Sequence, residues 1–213
     1  MTTDNPRPHR RRPLTIAIGA AVALVVAAAL LVPRLLADDA TPAADTTPSA
    51  SPSHTTELTA DVFAAAPELI RPGETESFDS VVREDTWEHA ECPVSGAAAE
   101  GCHRAVEALF TTADGQFRIT ALVLAYDDKD RATAAYELIN LEDRAGDVFD
   151  FQPEARQDGQ YWWKLSRLRV FVVATTAGRA DGRDLTAEQD ERADDLAGAL
   201  GEHISVYLRE HYA

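Results

Sequence analysis

The uncharged run "LTIAIGAAVALVVAAALLV" (Leu14–Val32) constrains this chain more than any other stretch. As a helix, its 19 residues nearly match a bilayer's hydrocarbon core of about 30 Å. Arg7, Arg10, Arg11 and Arg12 precede it, and Asp38 and Asp39 follow. The positive-inside rule therefore predicts a cytoplasmic basic tail over 1–13, a transmembrane helix over 14–36 and an extracytoplasmic remainder. The alternative is a cleavable secretory signal. Against it, the run exceeds the roughly 7–15 residues of a signal core, and Arg34 interrupts the approach to a cleavage site. With either outcome the bulk of the chain is exported. The expected location is a single-pass cell-membrane protein touching the lipid bilayer through Leu14–Val32.

Charge divides at the same place. Residues 1–34 carry a net +4 and residues 35–213 a net −20. An outer part this acidic repels nucleic acid and anionic lipid, so no nucleic-acid partner is expected. Residues 37–57, "ADDATPAADTTPSASPSHTTE", lack aromatics and apolar periodicity, which predicts a disordered linker. The folded part then spans 58–213. Both cysteines, Cys92 and Cys102, lie in it, and in an oxidising compartment an even pair reads as a disulfide. The loop it would close is short, so its constraint is local.

Within 58–213 the periodicities predict an α+β fold. A short helix is expected at Asp61–Ala66, stopped by Pro67, while "SFDSVVREDTWEHAE" fits either a strand or a helix. Two strand-like runs flank Asp114-Gly115, a hairpin signal. The second run carries apolar residues on both faces, which marks a central strand. A helix capped by Asp127 or Asp128 follows, with Ala132, Ala135, Tyr136 and Ile139 on one face. "DGQYWWKLSRLRVFVV" (Asp158–Val173) reads as a second hairpin. Thr186 and Gln189 fit a capping box, ahead of a helix striped by Ala193, Leu196, Ala197, Leu200, Ile204 and Leu208. The expected architecture is a twisted antiparallel sheet of about five strands with two amphipathic helices on one face.

Motifs for chemistry are weak. His89, Cys92, Cys102 and His103 have zinc-ligand residue types but the wrong spacing, because adjacent residues rarely reach one ion together. "DDKD" (Asp127–Asp130) lacks the glycine and glutamate of a calcium loop. "AGRADGRD" matches no phosphate loop, and its acids would repel phosphate. No serine-hydrolase elbow or zincin motif occurs in the exported part. No cofactor, no metal and no catalytic residue is expected.

One cluster stands out in so acidic a domain. Trp162, Lys164, Arg167 and Arg169 crowd within eight residues. They read either as a ligand or partner surface or as a strand covered on both faces, with one tryptophan under residues 58–91 and the charges at the rim. With the anchor, the linker, the cysteine loop, "TTADGQFRITALVLAY" and "VFVVATTAGRADG" in view, the layout resembles actinobacterial single-pass membrane proteins with an exported α+β domain of unknown function. It is similar, more loosely, to sensor-type ectodomains of bacterial membrane kinases. The expected function is that of a non-catalytic, sensor-like or accessory domain that binds an envelope protein or cell-wall ligand. The alternative is a membrane-anchored envelope hydrolase.

Overall fold

The computed structural model describes residues 57–142 and 145–212. The predicted cytoplasmic tail, transmembrane helix and almost all of the linker lie outside them. Among the described residues no helix is long and apolar enough to cross a membrane.

The described residues fold as a six-stranded, wholly antiparallel sheet with two α-helices. Its strands are β1 (Glu68–Ile70), β2 (Ser77–His89), β3 (Cys102–Thr112), β4 (Phe117–Tyr126), β5 (Tyr161–Leu168) and β6 (Phe171–Arg179). Helix α1 (Lys129–Ile139) follows β4, and α2 (Ala187–His211) ends the domain. The order across the sheet is β1-β2-β3-β4-β6-β5, so β6 returns to pair with β4 after β5 has passed to the edge. The α+β class and the antiparallel sheet agree with the sequence reading, but the count is six strands rather than about five. The extra strand is β1, three residues with no periodicity to reveal it. The ambiguous stretch at 77–89 is the longest strand. The short helix expected at Asp61–Ala66 is a single 3-10 turn at Ala60–Val62.

Local signals explain most element ends. Gly115 adopts φ 69° in the β3–β4 turn, where the Asp114 carboxylate receives the Gln116 N–H and the Thr112 hydroxyl. Asp128 caps α1 by accepting the Arg131 N–H at 2.8 Å. Thr186 and Gln189 close a reciprocal capping box on α2.

The helices pack on opposite faces of the sheet, not on one. The cause lies in β4, which is apolar on both sides and so needs cover twice. Phe117, Ile119, Ala121 and Val123 join the core under α2, with Leu196, Leu200, Ile204 and Leu208. Leu122, Leu124 and Tyr126 join a second core under α1, with Ala132, Ala135 and Ile139. The N-terminal residues Leu58, Val62, Phe63, Leu69 and Val81 pack on the α2 side. They do not cover the opposite face, which falls to α1, Ala145–Ala155 and the cysteine loop.

Helix α2 is moored along both flanks. Arg71 bonds Asp195 at 2.7 Å, and Arg192 bridges Asp79 and Asp114 at 2.6 and 2.8 Å. On the other flank Trp162 Nε1 donates to Asp190 at 2.8 Å, and Lys164 meets Asp194 at 2.5 Å. Gly201 explains itself here. A Cβ on it would lie 3.3 Å from Thr175 Oγ1, and that hydroxyl donates to Ala197 O at 2.7 Å, so the helix and β6 touch where the glycine sits.

Two glycines should respond oppositely to the same change. Gly159 has φ +72°, and a Cβ there would come within 2.6 Å of the Gly182 carbonyl, backbone that cannot swing aside. Gly159→Ala is expected to lose about 2–4 kcal/mol in urea unfolding. Gly198 lies in α2 with open space around its Cβ position, so Gly198→Ala should gain about 0.5–1 kcal/mol.

Acid should weaken the domain in two stages. Burial lowers the His203 pKa below its ordinary 6.5, so the folded state resists a proton that the unfolded chain accepts. That contribution is present above pH 6.5 and is lost as pH falls below it. Burial opposes ionisation of Asp114, but the Gln116 N–H, the Thr112 hydroxyl and the Arg192 guanidinium outweigh it, leaving its pKa below 3.8. Its share is present above that value and goes only as pH falls further. Melting temperature against pH should therefore slope down from about pH 6.5, and His203→Gln should remove the upper stage only.

Candidate functional site

Strand alternation scatters the aromatic and basic cluster. Trp162, Lys164 and Ser166 face α2, where Ser166 Oγ lies 3.3 Å from Ser205 Oγ. Trp163 and Leu165 face the other way and pack against the α1-side core. Arg167 pairs in register with Val172, of that same core, and so shares the Trp163 face. Arg169 sits in the two-residue turn between β5 and β6, exposed, with φ 54°. The structure thus brings together Trp162 and Lys164, whose ammonium lies 5.6 Å from the indole centroid. It separates them from Arg167 and Arg169. Trp162 keeps 38% of its surface exposed, but its N–H and the Lys164 charge are already engaged by α2.

Cys92 and Cys102 form a disulfide with Cα atoms 6.1 Å apart. It closes a loop whose interior is filled by Tyr126, whose hydroxyl donates to Ala98 O at 2.9 Å. Burial pushes that phenol's pKa up, so it stays protonated. The loop is then laced to the segment after α1. Val94 bridges Phe149, Ser95 N–H donates to Val148 O at 3.2 Å, and Asp150 N–H donates to Pro93 O at 3.0 Å.

That lacing forms one wall of a cleft of about 300 Å³, lined by Ser95, Gly146–Phe151, Arg156, Gln157, Tyr161 and Thr176. The far end of the segment is fixed from below by Glu107. This carboxylate is fully buried, accepts the Gln152 N–H at 3.1 Å and lies 2.8 Å from His89 Nε2. The His89 side chain is 9% exposed, so the pair is sealed and serves as an anchor for the cleft wall. Alongside, the Thr120 hydroxyl donates to Ala155 O. Thr176, on the neighbouring strand in the same cross-strand row, is 1% exposed, and among the described residues its hydroxyl has no hydrogen-bond partner. Sequence reasoning missed this cleft, because its residues come from four separate stretches without a motif.

A second hollow, of about 580 Å³, opens where the described chain begins. Glu57, Leu58, His103, Arg104, Tyr126, Asp127 and Phe171 line it. His103 Nδ1 lies 3.4 Å from Asp127 Oδ1, and both side chains are more than half exposed. No protein family, no curated protein and no solved structure matches the chain.

The two adjacent tryptophans should separate in stability. Trp163→Ala removes a partly buried ring packed against the α1-side core and should cost about 2–4 kcal/mol. Trp162→Ala loses a half-exposed ring and one bond to Asp190, about 1–2 kcal/mol. Lys164→Ala removes only a partly exposed ion pair and should cost no more than about 1 kcal/mol. Urea unfolding of the three variants checks the order.

Proposed function

We propose that this chain is a membrane-anchored extracytoplasmic binding domain, sensor-like or accessory, that recognises an envelope protein or cell-wall ligand without transforming it. The cleft between the β5–β6 edge and the Ala145–Arg156 segment carries the reading. It is concave, with polar groups set among apolar walls, and it is built on rigid supports: a sheet below, a disulfide-closed loop on one side and a buried carboxylate under the other. The disulfide supports an oxidising compartment. The run at 14–32 supports the anchor, and the 37–57 stretch supplies reach from the bilayer.

A second reading, an anchored envelope hydrolase, draws on His103 beside Asp127 in the larger hollow. The described residues lining it include no serine, threonine or cysteine, so an enzyme built from them would have to activate water.

Full-length protein reconstituted in nanodiscs and mixed with fragments of its own envelope distinguishes the two. The binding reading expects the fragments to be retained and no new soluble product to appear. Steady product release, lost in His103→Ala, would establish the hydrolase instead. Fragments that are neither retained nor cut would sink the binding reading.

A further inference from the structure

We propose that the cleft bounded by Ser95, Asp147, Arg156, Gln157, Tyr161 and Thr176 takes a neutral polyhydroxylated ligand, the chemical class of the sugar units in an envelope glycan. The proposal deepens the binding reading above and rests on it.

Thr176 is the first reason. A buried hydroxyl without a partner is costly, and its neighbour in the row, Thr120, has one. A group that can both accept and donate at the floor of the cleft completes it, as a ligand hydroxyl does.

The second reason is the unspent bonding capacity around it. Among the described residues, the Tyr161 oxygen accepts the Gly146 N–H at 3.1 Å, which leaves its proton to donate. Arg156 spends Nε on Phe151 O and Nη2 on Asp150, and keeps Nη1. Gln157 spends its amide N–H on Arg118 O at 3.2 Å and keeps Oε1 as an acceptor. Gly178 makes room for that oxygen, since a Cβ there would stand 2.8 Å from it. Asp147 adds a further acceptor. Donors and acceptors therefore converge on one hollow, and a ligand rich in hydroxyls matches both. A purely anionic or purely cationic group would leave half of them unsatisfied.

Charge and size agree. Arg156 is neutralised by Asp150 at 2.5 Å, and in the adjoining hollow Arg179 is neutralised by Asp181. Arg118, in that adjoining hollow, donates to the Glu154 carbonyl. Among the described residues that line the cleft itself no unpaired cation remains to hold an anion, and the surrounding acidity repels one. A volume of about 300 Å³ equals that of about ten water molecules in the liquid. This falls at the small end of ligand pockets, so the site holds a short stretch of a glycan rather than a large folded partner.

The test uses full-length protein in nanodiscs, with calorimetry and ligand-observed NMR. The probes are two neutral trisaccharides, tri-N-acetylglucosamine and maltotriose, beside cationic triglucosamine and anionic trigalacturonate. At least one neutral trisaccharide is expected to bind better than both charged ones. Thr176→Val keeps the shape and removes the hydroxyl. It should weaken that binding by about tenfold or more while leaving Tm unchanged or slightly raised. Arg156→Ala, at a half-exposed side chain, should weaken it as well. The proposal is overturned if neither neutral trisaccharide binds at about 10 mM. It is overturned equally if a charged trisaccharide is preferred, if binding survives both substitutions, or if Thr176→Val lowers Tm by several degrees. Retained envelope fragments with no neutral trisaccharide bound would overturn the ligand class and leave the binding reading standing. Loss of both would remove both.

Discussion

Strand β4 is the constraint on which the rest depends. Nine of its ten residues are buried, and its apolar side chains alternate between two cores. A strand buried on both faces must lie inside the sheet and must be covered twice. The two helices accordingly sit on opposite faces, and the long connection after α1 helps to close the second side. That connection also builds the cleft, so the candidate site is a by-product of how the second face is sealed.

The sealing is not purely apolar. The segment from Ala145 to Ala155 is held by the disulfide loop at one end and by Glu107 at the other. A buried carboxylate alone would be destabilising. Glu107 is tolerated because a backbone N–H and His89 satisfy it. Covalent closure of the loop and a satisfied buried charge together give the cleft wall a fixed position. A site needs that fixity if it is to hold a small polar ligand.

Much of the fold was legible because the signals were local. Asp114-Gly115, Asp128, the Thr186–Gln189 box and the α2 stripe each depend on residues within one or two turns of one another. The even cysteine pair was legible from compartment logic. What could not be read was which face each element covers. Alternation along Tyr161–Leu168 says that Trp162 and Trp163 diverge, but not that α2 lies over the first and the α1-side core over the second. The cluster of Trp162, Lys164, Arg167 and Arg169 looked like a unit because sequence proximity hides the pleat. Two of its members instead help to moor α2. The Thr176 hydroxyl carries no sequence signature at all, since a threonine in a buried β-branched run is ordinary. Its interest arises only from what surrounds it after folding.

Helix α2 is both the last element of the domain and the cover of one whole core, fastened to β5 on one flank and to the β1–β2 region on the other. A chain emerging N-terminus first must therefore hold an almost complete sheet with an uncovered apolar face until the 25 residues of α2 arrive. The domain cannot finish piecewise. Its maturation is timed by the arrival of α2, and any premature stop within α2 leaves a sheet without its lid rather than a smaller domain.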